Sequence, residues 1–131
     1  MRKGIISLLM VVLVVVLIGC SVDERSDYEV TSGTPGKEGI TTAMSEFNLG
    51  ADIAFAIDGS KPFDSAYLKI VIIAHEGDTE RIDTSYEEPI DPIWDWFYME
   101  YLDVEIVGDY TLKIYNDQAE LLGAKRFSVN N

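Results

Sequence analysis

The sequence of 131 residues holds a single cysteine, Cys20, and a single histidine, His75. One cysteine excludes an intramolecular disulfide. A zinc centre of His and Cys ligands needs three or four such side chains and is excluded on the same count. Hydrolysis by a Ser-His-Asp or Cys-His device has only His75 to serve as base, and no nucleophile-elbow sequence accompanies it. Ser60 and Ser65 are the nearest imaginable nucleophiles, with Glu76 and Asp78 beside the histidine. We read His75 as a strand-end residue and expect no enzymatic activity. Basic residues are scarce, 10 Lys and Arg against 23 Asp and Glu. Such a surface repels phosphates, so nucleic acid is not an expected partner. No internal repeat is visible.

What is present begins with Arg2 and Lys3, a short positive stretch. Ile5 to Ile18 then runs apolar, broken only by Ser7. A bilayer core takes about 20 helical residues, so this run is short for a permanent span and suits the apolar region of a signal peptide. It ends in Leu17-Ile18-Gly19-Cys20. That tetrad resembles the lipobox of bacterial lipoproteins: an aliphatic residue, a tolerant position, a small residue and the cysteine. The resemblance implies a signal peptide over 1–19, removed by cleavage before Cys20. It implies a diacylglyceryl thioether on the Cys20 sulfur with fatty acyl chains such as palmitate, and no other cofactor. It places the protein on the extracytoplasmic side of the cell membrane, held by lipid. Ser21 follows, where Asp would resemble an inner-membrane retention signal, so the outer membrane is expected if the source has two. Without Arg2 and Lys3 the mature chain keeps 8 basic and 23 acidic residues, a formal −15.

Residues 21–46 are rich in Ser, Thr, Gly and acids, and Thr31-Ser32-Gly33-Thr34-Pro35-Gly36 has a linker composition. The domain division expected is therefore 1–19 signal peptide, 20–46 lipidated cysteine and flexible linker, 47–131 folded domain. A flexible coil of that length reaches roughly 25–30 Å. A first strand is conceivable near Gly39–Met44.

From residue 47 alternation dominates. Phe47, Leu49, Ala51, Ile53, Phe55 and Ile57 fall on one face, and Asp58-Gly59-Ser60-Lys61-Pro62 breaks the strand. Ala66 to His75 predicts a second strand, apolar on both faces at its centre and therefore central or covered. Glu76-Gly77-Asp78 predicts a turn, and Thr79 to Tyr86 a more polar strand. Asp91 to Tyr101 reads as a loop to about Trp94 followed by an aromatic-rich strand, although Asp91-Pro92 also has the form of a helix start. Tyr110, Leu112 and Ile114 alternate with Thr111, Lys113 and Tyr115, Asn116 to Glu120 form a loop, and a last strand runs from near Leu121 through Phe127 and Val129. Short strands at this spacing predict an all-β fold, a single antiparallel β-sandwich, with a small β-barrel as the rival. The segment Gly108 to Val129 resembles the final hairpin of immunoglobulin-like and fibronectin type III-like domains. The resemblance puts Tyr110 at the tyrosine corner and Leu112 where antibody domains carry a cysteine.

Two groups of residues are candidates for binding. Trp94, flanked by Asp91 and Asp95, has the composition of a sugar site, an indole to stack on the ring and acids for the hydroxyls. Trp96 is expected in the core, as sandwiches commonly bury a tryptophan. Glu87, Glu88, Asp91 and Asp95 are the densest carboxylates and weak candidates for calcium, without the spacing of a known loop motif. The expected function is a non-catalytic β-sandwich that presents a binding or assembly surface in the cell envelope. The alternatives are a carbohydrate-binding module using an exposed Trp, and a small acidic inhibitor of a cationic envelope enzyme. Partners are thus the membrane, through lipid, and an envelope protein or glycan.

Overall fold

In a computed structural model, which describes residues 27–101 and 106–131, the described chain is all β. Its strands are β1 (Tyr28–Gly36), β2 (Gly39–Ala43), β3 (Glu46–Asn48), β4 (Ile53–Gly59), β5 (Tyr67–Glu76), β6 (Thr79–Pro89), β7 (Trp96–Tyr101), β8 (Gly108–Tyr115) and β9 (Leu121–Asn130). They form a four-stranded sheet, β2-β1-β4-β7, and a five-stranded sheet, β3-β9-β8-β5-β6. All pairings are antiparallel except β3 with β9. The sheets are not closed on one another, so the fold is a sandwich and not a barrel. β4 and β7 lie in one sheet and β5, β8 and β9 in the other, the partition of an immunoglobulin-like sandwich. The signal peptide, Cys20 and residues 21–26 lie outside the described residues.

Alternation explains which side chains meet between the sheets. Ile53, Phe55 and Ile57 of β4 face Leu68, Ile70 and Ile72 of β5 and Leu112 and Ile114 of β8 within one core, all at most 2% exposed. Phe127 sits among three rings: Tyr110 stacked at 5.2 Å, and Phe55 and Phe47 edge-on at 5.2 and 6.3 Å. Full burial of such a side chain contributes about 1.5–3 kcal/mol. The Tyr110 hydroxyl donates to the carbonyl of Ile106, 2.5 Å away and four residues upstream. That is the tyrosine corner, and it fixes the entry into β8.

Two expectations are corrected. The linker assigned to 20–46 is folded from residue 28 onward. β1 pairs with β4 along six residues, Tyr28 opposite Gly59 to Gly33 opposite Ala54. Val30 and Ser32 are buried, and the Ser32 hydroxyl is satisfied by the Met44 carbonyl at 2.6 Å. The residues that look like a linker have strand roles. A Cβ on Gly33 would stand 2.1 Å from the Thr42 carbonyl oxygen, so the β1–β2 approach requires glycine. Pro35 occupies an irregularity in the ladder, where a missing N–H is tolerated. The alternating run from Phe47 to Ile57 is likewise not one strand. It breaks at Leu49–Asp52 and passes from the five-stranded to the four-stranded sheet. Both sheets face the same core, so the parity of Phe47, Ile53, Phe55 and Ile57 survives the crossing while Leu49 is left 40% exposed.

Candidate functional site

Three loops meet at the end of the sandwich where β1 begins: residues 60–66, 90–95 and 116–120. Their sequences rule out regular strand. Gly59-Ser60 and Lys61-Pro62 end β4, Pro89 precedes the second loop and Pro92 lies within it, and Asn116-Asp117 opens the third. In immunoglobulin-like sandwiches the loops clustered at one end are the usual carriers of binding residues.

Backbone hydrogen bonds hold the loops to one another. Gly59 N–H donates to the Asp95 carbonyl (2.7 Å), Phe63 N–H to Trp94 (2.8 Å) and Asp64 N–H to Pro92 (2.9 Å). The Ser65 hydroxyl donates to the Tyr67 carbonyl and accepts from Asp117 N–H, while Ala66 N–H donates to the Asp117 carboxylate at 2.9 Å. Asn116 Oδ1 accepts from the N–H groups of Gln118 and Glu120, and its Nδ2 donates to Glu120 Oε1 at 2.8 Å. Side chains on this frame are positioned before any ligand arrives.

The loops enclose a depression of about 570 Å³. Tyr28 and Phe63 supply its aromatic part, with rings stacked at 5.3 Å. Lys61, Asp64, Asn116, Gln118 and Glu120 supply its polar part. Asp27 lies 3.0 Å from Lys61 and holds the ammonium above its ordinary pKa, first by hydrogen bonding and then by charge. Burial raises the Tyr28 phenol. Asp64 has φ +52°, a left-handed conformation that Asp tolerates. The sequence marks these loops as turns; nothing in it distinguishes Asp64 and Glu120 from the other acids.

Trp94 is 45% exposed and, with Asp95, Trp96 and Tyr98, lines a second, shallower depression of about 460 Å³. Asp91 is exposed, but its carboxylate accepts from Ile93 N–H at 3.1 Å and so caps the turn. Asp95 is brought beside Trp94; the Asp91 carboxylate is occupied locally. Trp96 is not in the core but 43% exposed. In the β4–β7 ladder it stands opposite Asp58, on the outward face, while Met99 stands opposite Phe55 and points inward. The expected aromatic strand is present as β7, with the facing opposite to that expected. The four calcium candidates are not brought together as one cluster. Glu87 and Glu88 are successive residues of β6 and point to opposite faces. Among the described residues no three His, Cys, Asp or Glu side chains come together as a metal-holding group.

His75 has partners on the outer face of the five-stranded sheet. Its Nε2 is 2.7 Å from Thr111 Oγ1 and its Nδ1 is 3.4 Å from Glu80. Hydroxyl, imidazole and carboxylate stand in a row across β8, β5 and β6. The backbone of β5 and β8 is engaged in ladders on this stretch. The row is a cross-strand tie.

No protein-family model matches the chain, and a search of curated proteins finds no match.

Proposed function

We propose that the protein is a cell-envelope lipoprotein, tethered to the membrane through Cys20, whose β-sandwich is a non-catalytic binding or assembly module. The observation that carries this reading is the tetrad Leu17-Ile18-Gly19-Cys20 directly after an apolar run and a positive start. The first strand begins at Tyr28, eight residues beyond the cysteine. Covalent geometry limits seven residues of chain from Cys20 to Asp27 to about 25 Å, so the lipid keeps the loop-bearing end near the membrane. A carbohydrate-binding reading is favoured by one feature, the exposure of Trp94 and Trp96 beside Asp95. A glycan array tests that second reading.

The primary test is processing. Intact mass of the mature protein is expected to show an N-terminal cysteine carrying diacylglycerol, and Cys20→Ser is expected to leave an uncleaved precursor. An unmodified thiol at the mature N-terminus overturns the tethered reading.

A further inference from the structure

We propose that the depression between loops 60–66, 90–95 and 116–120 is the seat of a basic segment of a protein partner. An arginine or lysine side chain lies along Tyr28, and its charge sits between Asp64 and Glu120. This rests on the binding-module reading and assigns its site and the chemistry of its partner.

Four observations carry it. The first is charge. Asp27, Asp64, Asp91, Asp95, Asp117 and Glu120 all belong to this end; Asp27 pairs with Lys61, the cation of the lining, at 3.0 Å, and Lys61 also feels the charge of Glu120, which leaves the lining with a net excess of acid. The whole mature chain adds a field of the same sign, which attracts a basic partner from a distance and raises its rate of encounter. The second is the aromatic wall. Tyr28 is half-buried with Phe63 stacked behind it, a surface suited to an alkyl stem and to cation–π attraction of the charge. The third is size. About 570 Å³ accommodates a long side chain with its flanking backbone, within the range of ligand sites generally. The fourth is rigidity. Glu120 is held by Asn116, and the loop bearing Asp64 is bonded to Pro92 and Trp94. The acids therefore lose little freedom on binding. A neutral glycan would use neither the charge excess nor the two carboxylates in this way.

The test uses the full mature chain carrying Cys20→Ser, titrated with hexa-arginine by calorimetry at low and moderate salt. Two charge-matched double variants are compared. Asp64→Asn with Glu120→Gln removes the proposed contacts. Asp52→Asn with Asp78→Asn removes the same charge at the opposite end of the sandwich. Thermal unfolding of each variant confirms that it is folded. Expected is a saturable 1:1 isotherm weakened at least tenfold by the first pair and less than threefold by the second, and weakened further by salt. Equal weakening by the two pairs means diffuse attraction and overturns the site. Absence of saturable binding overturns it as well, as does a stronger response to chitohexaose that the first pair abolishes. None of these outcomes touches the lipid on Cys20, which mass spectrometry decides separately.

Discussion

The backbone of Gly39 lies against the indole of Trp96: a Cβ built on Gly39 would stand 3.5 Å from Cζ2. These residues belong to β2 and β7, the two opposite edges of the four-stranded sheet. The β1–β2 hairpin therefore curls across the sheet's outer face. On the same face Trp96 and Tyr98 lie parallel, 6.1 Å apart. Ala54, which points outward from β4, is fully buried beneath this cover. The hairpin is thus a part of the domain with its own packing, built on glycine and small residues where bulk would hold it off.

Gly39→Ala tests that arrangement. The contact at 3.5 Å is ordinary, so crowding is not the difficulty. The φ of +117° is, because residues with a Cβ rarely adopt it. We expect a loss of about 1–3 kcal/mol from backbone strain. Chemical denaturation followed by tryptophan emission measures it. An unchanged midpoint would mean that the hairpin tip is not held in this conformation.

Truncation addresses the domain boundary. A fragment 47–131 lacks β1 and β2, loses Val30 and Ser32 from the core and bares the paired edge of β4. We expect it to be aggregation-prone or unfolded, whereas 27–131 folds cooperatively. Limited proteolysis of the whole mature protein is expected to stop near Asp27 rather than near Phe47, since paired strands resist cleavage. Dispersed amide resonances from 47–131 alone would show β1 to be dispensable.

How far the sequence reveals this depends on which signal is used. The hydrophobic pattern marks β5, β8 and β9 nearly to the residue: β8 and β9 alternate against the core, and β5 is a continuous apolar run closed by the Glu76-Gly77-Asp78 turn. Composition misled at Thr31 to Gly36. Gly, Pro, Ser and Thr there satisfy a close strand approach, a ladder irregularity and a buried hydroxyl, none of which has a local signature. Parity misled at Trp96, since in Trp94-Asp95-Trp96-Phe97-Tyr98 the apolar side chains occupy both faces and alternation carries no sign. The binding end was visible only as turns. Asp64 and Glu120 are 56 positions apart in the chain, and only the pairing of β5 with β8 and of β8 with β9 brings their loops together.

Ionisation of tyrosine gives the expected response to alkali. Burial, followed by the charge of Asp83, raises Tyr110 above its ordinary 10.0. Burial likewise raises Tyr28, Tyr86 and Tyr98. A raised pKa means that the folded state binds the proton more tightly than the unfolded chain. The stabilisation is complete below pH 10.0 and is lost as pH rises through the folded values. Unfolding free energy should therefore be level with respect to these groups from neutrality to about pH 9 and fall above pH 10. Tyr110→Phe removes one of them and should make the alkaline fall shallower. A fall equally steep in that variant would exclude Tyr110 as a contributor.

The contrast between Tyr110 and Tyr115 tests the sandwich as a whole. Both lie on β8, five residues apart and hence on opposite faces. Tyr110 is 2% exposed, stacks on Phe127 and donates to the Ile106 carbonyl, whereas Tyr115 is half-buried on the outer side, opposite Lys69. Tyr110→Phe keeps the ring and removes one hydrogen bond, for an expected cost of about 1 kcal/mol. Tyr110→Ala also opens a cavity beside Phe127, for about 3–5 kcal/mol. Tyr115→Ala loses partial packing alone and is expected to cost about 1 kcal/mol or less. Urea denaturation of the 27–131 domain measures all three against one reference. A register slip of one residue would turn Tyr115 inward and Tyr110 outward. Were Tyr115→Ala the more damaging change, the β5–β8–β9 register, the tyrosine corner and the loop cluster built on them would fall together.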